Sequence, residues 1–258
     1  MRVLSCNIRK SDVEDGPNNW VCRRGICTSV ILSQAPDIVC FQEMRRQQYL
    51  DLRAAMPAFD AFGMTKTATC GHPINAIFFR RDAFDVIAAG GYWLSETPHI
   101  AGTSSWGSFS IRLVNWLRLS ERASEAEFRV INTHLDHLSD RARMKQAEMI
   151  VSDAEAYPDT YRQILSGDMN VAKEHPVIKN FEKAGWQDTY TAAHGDEDPG
   201  FTYHAFEGPR HRVDGKRIDW LFFRGKVKTT DSAIIKDGED GRYPSDHYFV
   251  RADINLYM

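Results

Sequence analysis

Tyr243-Pro244-Ser245-Asp246-His247 leads directly into Tyr248 to Leu256, where apolar and polar residues alternate. Alternation with a period of two is the pattern of a half-buried strand. The segment therefore sets a carboxylate and an imidazole at a strand end. The same arrangement recurs upstream. Arg217-Ile218-Asp219 opens the apolar run Ile218 to Phe223, and Gly167-Asp168-Met169-Asn170 follows the run Tyr161 to Leu165. His134 closes Phe128 to Thr133, Glu43 follows Asp37 to Phe41 and Gln42, and Asn7 lies near the end of Val3 to Ile8. Strand-end loops are where a rigid scaffold carries polar chemistry. Side chains so distant in sequence, each at the end of an apolar run, predict one composite site.

Further runs at Ala76 to Phe79, Phe84 to Ala88 and Phe109 to Leu119 read as strands, with Glu121 to Glu127 as a polar hairpin connection. Helical periodicity covers Trp20 to Ser33, Arg45 to Ala55, Ser139 to Ala156 and Pro176 to Ala184. Ser139 is the expected N-cap of the third helix, and Gly185 the expected stop of the fourth. Strands and helices alternate early and late, while the middle is consecutive strands. That order predicts two sheets face to face with helices outside. No linker or low-complexity tract divides residues 1–258, so one domain is expected.

The chain of 258 residues is long enough to bury a sizeable core. Its formal net charge of -3 argues against a general nucleic-acid coating protein, which carries a strong basic excess. Cys6, Cys22, Cys27, Cys40 and Cys70 are odd in number and lack Cys-x-x-Cys spacing. Most sit in apolar runs, which predicts buried thiols in a reducing compartment rather than disulfides or zinc. No secretory leader and no membrane-spanning stretch is evident, so the expected location is cytoplasmic.

Glu43 is the first candidate metal ligand. Magnesium takes oxygen donors, usually one or two protein carboxylates, and keeps waters for substrate. Asp246 is assigned to the metal and Asp219 to orienting His247, because an imidazole base needs a carboxylate on its other nitrogen. Asp168 is a candidate to orient or deprotonate water, and Asn170 to donate its amide to a phosphoryl group. The glycine at 167 is read as permitting a sharp turn. His134 is a candidate phosphate contact or leaving-group acid, with Asp136 and His137 in support. Asn7 could hold a metal water or a phosphate oxygen, and Arg9 could meet an anion. Trp106 is the better substrate-facing aromatic and Trp93 a core residue; Arg112 suits a phosphate. Arg210-His211-Arg212 with Lys216-Arg217 is a short basic loop that could meet a polyanion.

Taken together, Asn7, Gln42-Glu43, Thr133-His134, Gly167-Asp168-Met169-Asn170, Ile218-Asp219 and Ser245-Asp246-His247 resemble the endonuclease/exonuclease/phosphatase superfamily. The resemblance covers essentially the whole chain. Asn7-Ile8-Arg9, Trp93-Leu94-Ser95-Glu96-Thr97-Pro98 and Asn132-Thr133-His134-Leu135-Asp136-His137 narrow it to a bacterial-type branch. It implies an α+β, four-layer αββα sandwich of the DNase I-like kind, with two mixed sheets inside. It also implies Mg2+- or Mn2+-dependent hydrolysis of a phosphoester by activated water, with Glu43 on the metal, Asn7 in support and Asp246 beside it. Relatives of this kind cleave DNA, RNA tails, inositol phosphates or sphingomyelin. A phosphate-ester substrate is therefore expected, with nucleic acid slightly ahead of a small phosphorylated metabolite or lipid headgroup. The rival reading is a non-catalytic phosphate-binding module. Two positions depart from the branch: Gly71-His72-Pro73, where Gly-Glu and an aromatic residue are usual, and Gly107, where an aspartate is.

Overall fold

The computed structural model describes residues 1–63, 74–197, 199–211 and 215–256. In chain order the elements are β1 (Arg2–Asn7), α1 (Trp20–Ser33), β2 (Ile38–Gln42), α2 (Arg46–Ala55), β3 (Phe59–Phe62), β4 (Ile77–Arg80), β5 (Phe84–Trp93), β6 (Leu113–Glu121) and β7 (Glu127–His134). They continue with α3 (Asp140–Glu155), β8 (Gln163–Asp168), α4 (Pro176–Lys183), β9 (Gln187–Asp188), α5 (Thr189–His194), β10 (Asp219–Arg224), β11 (Lys228–Ile235) and β12 (Phe249–Asn255). The strands form two six-stranded sheets, ordered β11-β12-β1-β2-β4-β3 and β5-β6-β7-β8-β10-β9. Each is mixed: β1 runs parallel to β2, and β7 parallel to β8, among antiparallel neighbours.

The period of two sorts each strand between two faces, and the packing follows it. From β1 and β2, Leu4, Cys6, Val39 and Phe41 pack under α1 and α2 with Ile26, Ile31 and Leu52. Their alternates Val3, Ile38 and Cys40 meet Val130, Ile164 and Leu221 of the facing sheet. Beyond that sheet, Ile131, Leu165 and Phe222 pack against Ile150 of α3 and Phe181 of α4. Three apolar layers between four layers of structure make an α+β αββα sandwich, as expected.

Along this inward face, the side chains change from apolar to polar towards one end. β1 reads Val3, Ser5, Asn7; β7 reads Val130, Asn132, His134; β8 reads Ile164, Ser166, Asp168. β10, running the other way, reads Leu221 then Asp219. The middle of the gradient locks the sheets together: Gln42 Nε2 donates to Asn132 Oδ1 at 2.7 Å. Asn132 Nδ2 donates to the carbonyls of Phe41 and Ala76, at 2.9 and 3.0 Å. Beyond this layer lies the site.

Ser139 caps α3 by accepting from the Ala142 amide at 3.2 Å, and Gly185 ends α4 at φ 83, both as expected. Other expectations need correction. β6 begins at Leu113 rather than Phe109, because Asp136 captures the preceding loop through Ser108 Oγ and the Ser110 amide, each at 3.0 Å. β8 runs on through Gly167 to Asp168, so Gly167 lies within a strand and not at a turn. A Cβ there would sit 2.4 Å from the Thr133 carbonyl oxygen of neighbouring β7, so glycine is needed for close passage. β3, β9, α5 and β11 have no counterpart among the expected elements. β3 and β9 are too short for periodicity, β11 is a polar edge strand, and α5 depends on a local Asp188 cap. Cys6, Cys27 and Cys40 are buried thiols while Cys22 is exposed; Cys70 and Gly71-His72-Pro73 lie outside the described residues. Among the described residues no helix is long and apolar enough to cross a membrane.

Candidate active site

At the polar end of the inter-sheet face is a cavity of about 570 Å³, lined by Glu43, His134, Asp168, Asn170, Asp246 and His247 among others. Its volume suits a small ligand. Arg9 and Arg112 line it as well. Asn7 and Asp219 lie just beneath the wall, each 1% exposed.

Asp168 is the hub. Its Oδ2 accepts from Asn7 Nδ2 at 3.0 Å and lies 3.4 Å from His134 Nε2; its Oδ1 accepts from the Asn170 amide at 2.9 Å. Burial, then the nearby charge of Asp219, pushes its carboxyl above the ordinary range. Asn170 Nδ2 donates to the Leu135 carbonyl at 3.0 Å and to His134 Nε2 at 2.9 Å. His134 Nε2 therefore accepts and its proton sits on Nδ1. Burial, then the charges of Arg112 and His247, holds His134 well below the usual histidine range, so it is neutral.

His247 is the opposite case. Its Nδ1 donates to Asp219 Oδ2 at 2.8 Å. Burial opposes the charge, but Asp219, Asp246 and Asp168 outweigh it and raise the imidazole to about 10. One ligand atom from each of Asp168, Asp219 and His247 lies within 4.8 Å of the others. The short hydrogen bond already joins two of the three, so this cluster reads as an acid–base network rather than a cation cage.

Glu43 and Asp246 form the other half. Glu43 Oε2 accepts from the Lys10 amide at 3.1 Å. Asp246 accepts from Ser245 Oγ at 3.1 Å, and its Oδ2 lies 3.7 Å from Arg9 Nε. Burial raises the Asp246 carboxyl, and the Glu43 charge adds to the rise. Both carboxylates line the same cavity and repel one another, and oxygen donors of this kind are the chemistry that a hard divalent cation takes. The residues fit magnesium or manganese. Arg9, Glu43 and Asn170 all hold φ between 51° and 60° without being glycine. Such strain collects at functional sites, where the surroundings over-determine it.

The positions taken by other candidates differ from the expectation. Asn7 lies behind the lining residues: Oδ1 accepts from the Arg9 amide at 3.1 Å while Nδ2 holds Asp168. Arg9 is bound to Asp15 at 3.0 and 3.1 Å. Trp106 is absent from the lining; its carbonyl accepts from Ser139 Oγ at 3.4 Å, and Gly107 follows at φ 75. The Asp136 carboxylate ties loops together, with its hydrogen bonds going to Ser108, Ser110, Leu138 and Ser139 and none to His134. Arg112 Nη2 lies 3.3 Å from His137 Nδ1, and its buried Nε has no protein partner. In the basic loop, Arg217 is buried on Asp188 at 2.6 and 3.0 Å, His211 pairs with Glu207 at 2.9 Å, and Arg212 lies outside the described residues. Trp93 is core, as read. Tyr203 was missed. It lines the cavity with its ring 5.1 Å from His247, and a lone aromatic in an aperiodic loop gives no signal in sequence.

This fold and this strand-end cluster define a phosphoester-hydrolase scaffold. The chain belongs to the Endonuclease/Exonuclease/phosphatase family, whose model matches residues 4–247. Members of that family are phosphoester hydrolases. Among solved structures it is similar to an endonuclease/exonuclease/phosphatase from Bacteroides vulgatus, at 26% identity and TM-score 0.90, covering 99% of this chain and 98% of that one. It is also similar to a mannosyl-6-phosphatase from Bacteroides thetaiotaomicron, at 25% identity and TM-score 0.88, covering 99% of each. D. rerio TDP2 complexed with a single-strand DNA product shares the fold at 19% identity and TM-score 0.77, covering 99% and 98%. A curated relative, uncharacterized protein R895 of Acanthamoeba polyphaga mimivirus, is 26% identical over 117 residues, which is 38% of this chain and 17% of that protein.

Proposed function

We propose that this protein is a Mg2+- or Mn2+-dependent phosphoester hydrolase acting on a small phosphorylated substrate through attack of water on phosphorus. The observation that carries the reading is one cavity holding Glu43, Asp246, Asp168, Asn170, His134 and His247, with Asp219 bonded behind His247. Glu43 and Asp246 would hold the cation, which when bound polarises the phosphoryl group and offsets developing negative charge. Asn7 supports this arrangement through Asp168 rather than as a ligand.

Asp168, raised towards neutrality and steadied by Asn7, accepts the proton of the attacking water. His247, held as an imidazolium by Asp219, faces the phosphoryl oxygens. Neutral His134 and Asn170, bonded to each other beside Asp168, steady the ester. Arg112, with an unpartnered Nε, meets the phosphate.

Two observations favour a small ester over nucleic acid. The basic loop that would greet a polyanion has its arginine at 217 turned inward on Asp188. The likeness to a mannosyl-6-phosphatase extends over the whole chain at 25% identity. The test is a panel with magnesium and with manganese: sugar phosphates, inositol phosphates, sphingomyelin, simple mono- and diesters, RNA, and single- and double-stranded DNA, with Glu43→Ala as blank. Turnover of sugar phosphates above all nucleic acids is expected. Preferred cleavage of DNA or RNA would overturn the substrate class, and binding without turnover would favour the non-catalytic module.

A further inference from the structure

Two side chains outside every motif join the loops that carry Arg9, Glu43 and Asp246. They are Arg23 on α1 and Gln48 on α2. Arg23 is 1% exposed, yet it forms no ion pair with any carboxylate among the described residues. Its guanidinium donates instead to four backbone carbonyls: Asn18 at 2.9 Å, Ile8 at 2.7 Å, Arg9 at 2.7 Å and Pro244 at 2.8 Å. Gln48 is fully buried. Its Nε2 donates to the Arg9 carbonyl at 2.8 Å, and its Oε1 accepts from the Arg45 amide at 2.9 Å and the Ser11 amide at 3.2 Å.

The Arg9 carbonyl is thus shared by both side chains. Through it the exit of β1 is fastened to the loop after Glu43 on one side and to the segment entering Ser245-Asp246-His247 on the other. Burying a guanidinium without an ion-pair partner is costly, and an apolar side chain would serve mere packing better. Arg9 and Glu43 also hold left-handed φ values of 51° and 60°, which persist only where neighbours over-determine the backbone. Arg23 and Gln48 supply that constraint from behind.

We propose that Arg23 and Gln48 are positioning residues that fix the spacing of Glu43 and Asp246 and so set the affinity of the cation site those carboxylates make. The proposal rests on the reading of Glu43 and Asp246 as cation ligands. Residues that orient metal ligands typically change affinity by about 10- to 100-fold when replaced. Neither side chain contacts substrate or the reacting atoms.

The test is calorimetric titration of the full chain with Mn2+, in the absence of substrate. The proteins are the wild type, Glu43→Ala, Arg23→Lys, Gln48→Met and, as control, Arg53→Lys, whose arginine bonds the Phe59 carbonyl instead. Glu43→Ala is expected to abolish saturable binding. Arg23→Lys and Gln48→Met should each raise the Mn2+ Kd about tenfold or more, and Arg53→Lys should match the wild type. In turnover, the two positioning variants should need more metal for half-maximal rate while kcat at saturating metal returns towards wild type. Simple loss of folded protein would not give that split. If Glu43→Ala binds Mn2+ like the wild type, the cation reading fails first. If Glu43→Ala loses binding while Arg23→Lys and Gln48→Met keep the wild-type Kd, the positioning proposal is overturned. Should Arg23→Lys not fold, Gln48→Met decides alone.

Discussion

His247 donates from Nδ1 to Asp219 Oδ2 at 2.8 Å, and the two residues are 5% and 1% exposed. This single bond fixes the orientation of the ring and helps keep it charged at neutral pH against the opposing effect of burial. It separates His247 from His134, which burial and two neighbouring cationic groups keep neutral. One histidine carries a charge, and the other is neutral with its Nε2 lone pair already taken by Asn170 Nδ2.

Replacing Asp219 with Asn keeps the shape and removes the charge. The imidazole should then fall back towards its ordinary range and lose its proton as pH rises. We expect Asp219→Asn to lower kcat by roughly 10²- to 10⁴-fold, with the residual rate falling between pH 6 and 8. Wild type should show no such fall from this group. A pH–rate profile of both proteins checks this.

The same bond predicts a pH dependence of stability. The folded pKa of His247, about 10, exceeds the ordinary histidine value of 6.5. Its stabilising contribution is therefore complete below pH 6.5 and is lost as pH rises through about 10. Urea unfolding in EDTA should show the wild type ahead of His247→Gln at pH 6, with the gap closing as the pH approaches 10. A gap that widens with pH would contradict the pairing.

Gly167 allows β8 to pass close to β7, since a Cβ would meet the Thr133 carbonyl oxygen at 2.4 Å. Gly167→Ala should cost about 1–3 kcal/mol of stability from overpacking, read from the urea midpoint. It should also slow turnover, because the neighbouring residue is Asp168.

A small phosphate ester and a nucleic acid respond differently to salt. Polyanion binding through six to ten phosphate contacts would weaken by about 10³- to 10⁵-fold between 50 and 200 mM salt. For the small substrate proposed here KM should rise by less than about tenfold over that range. Steady-state kinetics at four salt concentrations separates the two.

Much of this was legible because each strand carries its own gradient. Val130, Asn132 and His134, or Ile164, Ser166 and Asp168, are alternate residues, so a period of two puts apolar and reactive groups on one face at opposite ends. Asp219 behind His247 could be anticipated from what an imidazole requires. Other parts depended on contacts made only after folding. Asn7 holds Asp168 through Nδ2 while its oxygen accepts from the Arg9 amide, a pair of contacts that its place at a strand end does not announce. Arg217 turned inward because Asp188 caps α5 and offers it two oxygens. Trp106 left the lining with a loop that Asp136 gathers from 26 and 28 residues away. Arg23 and Gln48 sit in ordinary helical patterns, and nothing in their spacing says which carbonyls they hold.

In the proposed reaction Glu43 would help hold a divalent cation, which would polarise the phosphoryl group for attack by water. The most direct measurement is phosphate release from a sugar phosphate under saturating Mg2+, by wild type and Glu43→Ala side by side, with EDTA as control. Metal-dependent turnover by the wild type is expected, silenced by EDTA and lowered at least about 100-fold in Glu43→Ala. Equal rates in the two proteins, or turnover indifferent to EDTA, would contradict it.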